Sequence, residues 1–309
     1  MRAVRIHQFG PPAVMAVEDL ARPVPGDGEV LVRVRAAGVG PWDAWVRAGK
    51  SALPQILPLT LGSDISGVVE GAGSGVSGLL PGVVVFGVTN ALFTGGYAEY
   101  AVAVAGMLAR KPRSCSHVEA ASVPVVAVTA WQMLFDHAHI AEGQTVLIHG
   151  AAGNVGAFAV QMARNARAQV IATTAGDAGY LRDLGAATVI DASTSRFEDA
   201  AGSVDIVIDT VGGDVQQRSF QVVKPGGILV SSVSPPDAEH AGRAGIRATF
   251  FIVNVTTDAL NRVAAQIDSG LLQPRVGAVV PLADARLAHE MLDGLRPRPR
   301  GKIVLDAGS

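Results

Sequence analysis

Gly150, Gly153 and Gly156 recur three residues apart, directly after the apolar run Val146-Leu147-Ile148. Such a run reads as the end of a buried parallel strand. Beyond the glycines, Val155, Phe158, Ala159, Met162 and Ala163 recur at spacings of three and four, the stripe of a helix packed on a sheet. Val170-Ile171-Ala172-Thr173 then has the β-branched character of a second strand. A glycine turn between strand and helix lets backbone N–H groups approach a pyrophosphate, and the helix N-terminus favours that anion. Ala152 stands where the middle glycine of G-x-G-x-x-G would be, so the triplet alone also fits a plain tight turn. With its flanking strands and helix it spans the roughly thirty residues of a βαβ unit. A dinucleotide cofactor held at Gly150, Ala152, Gly153, Asn154 and Val155, and hence redox chemistry, is the expectation.

The end of the second strand sets which dinucleotide. An Asp or Glu about twenty residues past the glycine turn binds the ribose hydroxyls of NAD. Thr173 and Thr174 stand there instead, small and neutral, which leaves room for a 2′-phosphate. NADPH is therefore favoured, with NADH left open by Asp177; Arg182 could reach the phosphate or could simply be a helix-surface arginine.

Composition bounds the rest. The chain has 309 residues, 49% hydrophobic and 17% charged, enough for a large core and about two domains. Aromatic residues are only 5%, so that core must come from Val, Leu, Ile and Ala. A net charge of −2 without a basic stripe argues against a nucleic-acid partner. Arg296, Arg298 and Arg300 alternate with prolines, as a solvated loop would. The one cysteine, Cys115, excludes an internal disulfide and any cysteine-based zinc cage, and reads as an incidental thiol in a polar loop. No signal-like N-terminus and no 18-residue apolar run are present, so a cytoplasmic protein without a membrane partner is expected.

Two regions positioning these residues can be told apart. Up to residue 121, short strands such as Val30–Val34, Val83–Phe86 and Tyr97–Val104 are punctuated by Gly/Pro turns, which describes a β-rich module. From residue 122 to 265, strands at Val146–Ile148, Val170–Thr173, Thr188–Ile190, Asp205–Asp209 and Ile228–Ser231 alternate with helices, the mark of a doubly wound parallel sheet. Lys224-Pro225-Gly226-Gly227 reads as a tight turn feeding the Ile228 strand. A helix over Thr257–Ser269 is closed by Gly270. Residues 266–309, with the tail Gly301–Leu305, are expected to return to the β-rich module.

Taken in order, Ala36–Gly49, Leu61–Gly87, Gly95–Ala103, Ala121–Gln132, His149–Ala163, Leu184–Ala186 and Pro299–Leu305 resemble the medium-chain dehydrogenase/reductase superfamily. They are most similar to its zinc-free, quinone-oxidoreductase-like branch. The resemblance spans essentially the whole chain. It implies a GroES-like catalytic domain (residues 1–121 and 266–309) and an inserted Rossmann domain (122–265), with the active site in the cleft and homodimers common. It implies NAD(P)H-dependent reduction of quinones, enones or similar activated double bonds. Zinc-using members carry a cysteine where this chain has Gly40 and a His-Glu pair where it has Ser63-Asp64, so no zinc is expected. His137 and His139 are expected on a helix surface.

By motif position, Thr129 would touch the nicotinamide half, and Val211, Gly212, Ser232, Val233 and the backbone from Phe251 to Val253 would line its pocket. On the substrate side Trp42 and Asp43 are the candidates, although Asp43 also suits a helix N-cap for Ala44–Arg47. Asp64 is expected to bond backbone or ribose, and Tyr97 and Tyr100 to pack in a sheet. No residue stands out as an obligatory acid or base. That suits hydride delivery by a cofactor, in which the protein orients the reactants and stabilises developing charge. The expected function is a zinc-independent NADPH-dependent quinone or enone oxidoreductase acting on small apolar electrophiles. The alternatives are an enoyl or double-bond reductase of a biosynthetic pathway, and a non-catalytic NADPH-binding sensor.

Overall fold

The computed structural model describes residues 1–308. Contacts divide the chain into one unit made of Met1–Val125 and the return from Val255, and a second made of Val126–Asn254. The first segment carries β1 (Arg2–Ile6), β2 (Ala16–Asp19), β3 (Glu29–Val39), β4 (Leu59–Thr60), β5 (Asp64–Ala72), β6 (Val84–Val88), β7 (Tyr100–Val104) and β8 (Leu108–Arg110). The middle segment carries β9 (Thr145–His149), β10 (Gln169–Thr174), β11 (Thr188–Asp191), β12 (Val204–Asp209), β13 (Val223–Ser231) and β14 (Arg247–Phe250). The return adds β15 (Val276–Pro281) and β16 (Lys302–Asp306).

In the first unit, a seven-stranded sheet runs β15-β16-β3-β5-β6-β8, with β7 also paired to β3, and a three-stranded sheet runs β2-β1-β4. Strand β3 shows why: Val30, Val32 and Val34 alternate inward while Leu31, Arg33 and Arg35 stay half-exposed. The tail returns as anticipated, with Ile303 opposite Val39 and Leu305 opposite Ala37 across the β16–β3 ladder. Helices α1 (Pro41–Arg47) and α2 (His117–Ala121) lie in this unit, and α3 (Pro124–Trp131) carries the chain out of it.

The second unit is a parallel six-stranded sheet ordered β11-β10-β9-β12-β13-β14. Its helices include α4 (Asn154–Asn165), α5 (Ala178–Leu184), α6 (Phe197–Ala200), α7 (Gly213–Ser219) and α8 (Ala238–Ala244). Val146, Leu147 and Ile148 are wholly buried, which is why the central strand is an unbroken apolar run. The returning helices are α9 (Thr257–Asp268) and α10 (Ala285–Leu292).

Several local expectations change. The units divide after Val125 and Asn254 rather than after 121 and 265; at the second boundary the reason is that α9, which a division at 265 would cut, packs on β8 of the first unit. The strand expected over Tyr97–Val104 begins only at Tyr100, and that over Val83–Phe86 runs instead from Val84 to Val88. Lys224–Gly227 is no turn ahead of a strand; it lies inside β13, where the register against β12 shifts and Gly226 takes φ +82°. Cys115 lies in the loop between β8 and α2, as the sequence suggests, with its thiol buried.

Candidate functional site

The sheet order reverses at β9, from which β10 and β11 lead one way and β12 to β14 the other. In open parallel sheets the crevice at the carboxyl ends of such strands is where ligands bind. The glycine turn leaves β9 at this point. Gly150 takes φ +65°, and a Cβ there would lie 2.5 Å from Thr210 Oγ1, whose hydroxyl donates to the His149 carbonyl at 2.8 Å. At Gly156 a Cβ would stand 2.4 Å from the Gly150 carbonyl oxygen and 2.6 Å from Ala151 Cα. Helix α4 starts at Asn154 with Gly153 as N-cap and no side chain capping it. Its first-turn N–H groups therefore open onto the turn, and Gly153, exposed, leaves close approach free.

The ends of the neighbouring strands β12 and β13 are tied to each other by Asp209, a residue that sequence reasoning did not single out. Its carboxylate is wholly buried and accepts from the Val211 N–H (2.9 Å), the Gly212 N–H (2.8 Å), Gln216 Nε2 (3.0 Å) and Ser231 Oγ (2.9 Å). The Ser232 N–H donates to the Asp209 carbonyl at 3.2 Å. Gly212 sits at φ +77°, where a Cβ would be 3.0 Å from Val233 Cγ1. Asp209 thus holds Val211 and Gly212 through its carboxylate and Ser232 through its carbonyl, and Ser231 Oγ, which donates to that carboxylate, accepts the Val233 N–H at 3.2 Å; the Val211 and Val233 side chains stay exposed.

Thr173 and Thr174, both buried, end β10 next to β9. The Thr173 hydroxyl lies 3.1 Å from His149 Nδ1, and His149 Nε2 lies 2.9 Å from Ser219 Oγ. Because Ser219 donates its own proton to the Val215 carbonyl at 2.7 Å, the imidazole carries its proton on Nε2 and accepts from Thr173. Burial holds His149 neutral, its pKa lowered to about 4. Arg182 is exposed on α5.

The remaining nicotinamide-side candidates lie elsewhere in the same unit. Thr129 is buried in α3. A π-helical turn, Gln132–His137, continues that helix, and Gln132 holds the backbone of Asn254, next to Phe251 and Val253. His137 packs on Phe251 with ring centroids 4.4 Å apart, and His139, at φ +52°, lies past the end of the π-helical turn; neither lies on an ordinary α-helix face.

Trp42 and Asp43 belong to the first unit. The N-cap of α1 is Gly40, not Asp43; Asp43 is the third helical residue and reaches back to accept the Gly40 N–H at 2.8 Å. Tyr97, just ahead of β7 and wholly buried, donates to the same carboxylate oxygen at 3.0 Å. Burial raises the Asp43 pKa to about 7, opposed by the Gly40 N–H and Lys302. Arg47 leaves α1 to bond the Gly10 carbonyl (3.1 Å), His289 Nδ1 (2.9 Å) and Asp293 (2.7 Å). Trp42 folds back so that a Cβ on Gly40 would lie 2.4 Å from its ring, while its indole N–H donates to Ser63 Oγ at 3.3 Å. Lys302 Nζ stands 4.1 Å over the same ring and bonds Asp64 at 2.9 Å. Asp64 bonds backbone, as expected, through the Val125 N–H at 3.1 Å.

A GroES-like unit and a parallel doubly wound unit in one chain make up the medium-chain dehydrogenase/reductase build. Residues 26–113 match the family described as alcohol dehydrogenase GroES-like domain, and residues 184–305 the family described as zinc-binding dehydrogenase. A quinone oxidoreductase of Pongo abelii is 31% identical over 310 residues, covering 94% of this chain and 93% of its own. A 2-methylene-furan-3-one reductase of Solanum lycopersicum is 30% identical, covering 99% of this chain and 79% of its own. The crystal structure of an Escherichia coli quinone oxidoreductase complexed with NADPH superposes with a TM-score of 0.87 at 25% identity, covering 98% of this chain and 100% of the other. The chain belongs to the medium-chain dehydrogenase/reductase superfamily, among its quinone-oxidoreductase-like members, and is an oxidoreductase.

One of those descriptions implies zinc, and the residues at the ligand positions do not fit it. Gly40 brings no donor and its Cβ direction is filled by the indole; the Ser63 hydroxyl accepts from Trp42; Asp64 is engaged by Lys302. A catalytic zinc needs three protein ligands around an open position.

Proposed function

We propose that the protein is a zinc-independent, NADPH-dependent reductase of quinones or of the activated C=C bond of enones. The observation that carries this is the glycine turn at the switch point, whose close approaches leave no room for a Cβ at Gly150 or Gly156. A pyrophosphate bound there would meet the first-turn N–H groups of α4. The cofactor, when bound, supplies the hydride. The chain's own part is positional. Asp209 fixes the Val211–Gly212 and Ser232–Val233 backbone against which a planar nicotinamide would lie. Thr173 and Thr174 leave a small neutral strand end, which supports a 2′-phosphate over the carboxylate-bound ribose of NAD. Reduction of an enone is supported by the relative named for a methylene-furanone, and reduction of a quinone by those named for quinones.

The test is NADPH oxidation against a panel of quinones and cyclic and acyclic enones, with NADH in parallel and with and without a chelator. Turnover of at least one class, unchanged by the chelator and faster with NADPH, is expected. Tight NADPH binding without turnover on any acceptor would leave a binding protein instead of an enzyme.

A further inference from the structure

We propose that Gln132 is a positioning residue for the nicotinamide end of the cofactor site, and that the π-helical turn exists to deliver it. This rests on the cofactor reading above. Gln132 uses both ends of its side-chain amide on one backbone residue: Nε2 donates to the Asn254 carbonyl at 2.8 Å, and Oε1 accepts the Asn254 N–H at 3.1 Å. The two residues are 122 positions apart. Asn254 lies beyond β14, in the stretch after Phe250 that carries Phe251 and Val253 and has no ladder partner of its own. Backbone without a ladder needs another source of hydrogen bonds to hold one conformation.

The helix geometry explains the delivery. His137, five residues after Gln132, packs its ring on Phe251 of the same stretch. On an α-helix, residues five apart point about 140° away from each other, at about 100° per residue. Hydrogen bonding from residue i to i+5 widens the turn and brings them to nearly one side. The Ala138 N–H donates to the Met133 carbonyl at 3.1 Å in this pattern. The π-turn thus lets Gln132 and His137 grip one segment at two points, Asn254 and Phe251, and such turns recur at functional sites.

The experiment compares wild-type protein with Gln132→Ala by calorimetric titration with NADPH and with adenosine 2′,5′-bisphosphate, which lacks the nicotinamide half. Two neutral hydrogen bonds open to solvent support a loss of about fivefold. NADPH affinity should fall by at least threefold, while the bisphosphate binds within a factor of two of wild type. Hydrogen exchange at the Asn254 amide should accelerate in the unliganded variant. Gln132→Glu keeps the acceptor but sets a carboxylate oxygen against the Asn254 carbonyl; it should show the same split, and it serves if Gln132→Ala does not fold. Equal weakening of both ligands, or unchanged NADPH affinity, overturns the inference. Wild-type protein that binds neither ligand overturns the cofactor reading, and this inference with it.

Discussion

Lys302 and Asp64 stand 238 residues apart in sequence and form an ion pair of 2.9 Å with side chains 1% and 0% exposed. β16 carries the lysine back beside β3, which in turn pairs with β5, where the aspartate opens the strand. Burial raises the pKa of Asp64 while Lys302 and the Val125 N–H oppose it.

Breaking that pair from one side leaves an uncompensated buried charge. Lys302→Met is expected to cost about 3–5 kcal/mol in urea unfolding. Adding Asp64→Asn removes the orphaned charge and should recover more than half of the loss. A single-variant cost below about 1 kcal/mol would show that the pair is not sealed as described.

Gly40 and Trp42 are coupled by contact, since the indole occupies the direction a Cβ would take. Gly40→Ala should destabilise the wild-type chain by about 1–3 kcal/mol through overpacking. In a Trp42→Ala background the same change should be nearly neutral. Additive effects in the four-way cycle would sink this account.

Two glycines in helices of the same unit should respond in opposite directions. Gly156→Ala drives a methyl onto backbone 2.4 Å away and should lower NADPH affinity by more than tenfold. Gly179, inside α5 with nothing within 4 Å of its Cβ direction, should gain about 0.5–1 kcal/mol as alanine with cofactor affinity untouched. Thermal unfolding and titration on both variants separate the two.

Asp43 makes stability depend on pH in the direction opposite to the buried histidines. Its folded pKa, about 7, lies above the ordinary carboxylate value, so its contribution is full below about pH 4 and is lost as pH rises through 7. The charges facing it are Lys302 and Asp64, with the Tyr97 hydroxyl on the shared oxygen. Asp43→Asn should therefore gain on wild type by about 2 kcal/mol between pH 5 and 7, read from urea midpoints. His149 and His289, held neutral with pKa values near 4 and 3, give the reverse: stability full above about 6.5 and lost as pH falls. A pH-independent difference between Asp43→Asn and wild type would overturn the assignment.

Local chemistry made much of this legible in the chain. The buried strands of the parallel sheet, the glycine turn and the helix ending at Gly185, which takes φ +107°, are written in apolar runs, periodicity and residues free to adopt positive φ. That positions 40 and 63 hold neither cysteine nor histidine is equally a property of residue type. What sequence could not give are partnerships between distant positions, because a residue's identity does not say what folds against it. Asp209 reads as a strand-end aspartate, and only the fold turns four donors onto it. Gln132 reads as one more residue of an apolar helix, and only the π-turn aims it at Asn254. Nothing in the tail strand's sequence marks Lys302, yet strand pairing encloses it between a carboxylate and an indole. The amino-acid order thus proposes a strand–turn–helix cradle suited to a dinucleotide, through the glycine spacing together with the apolar runs that flank it. Tertiary packing decided which polar groups hold that cradle and its neighbours in place, because buried polar groups must find partners wherever the fold brings them.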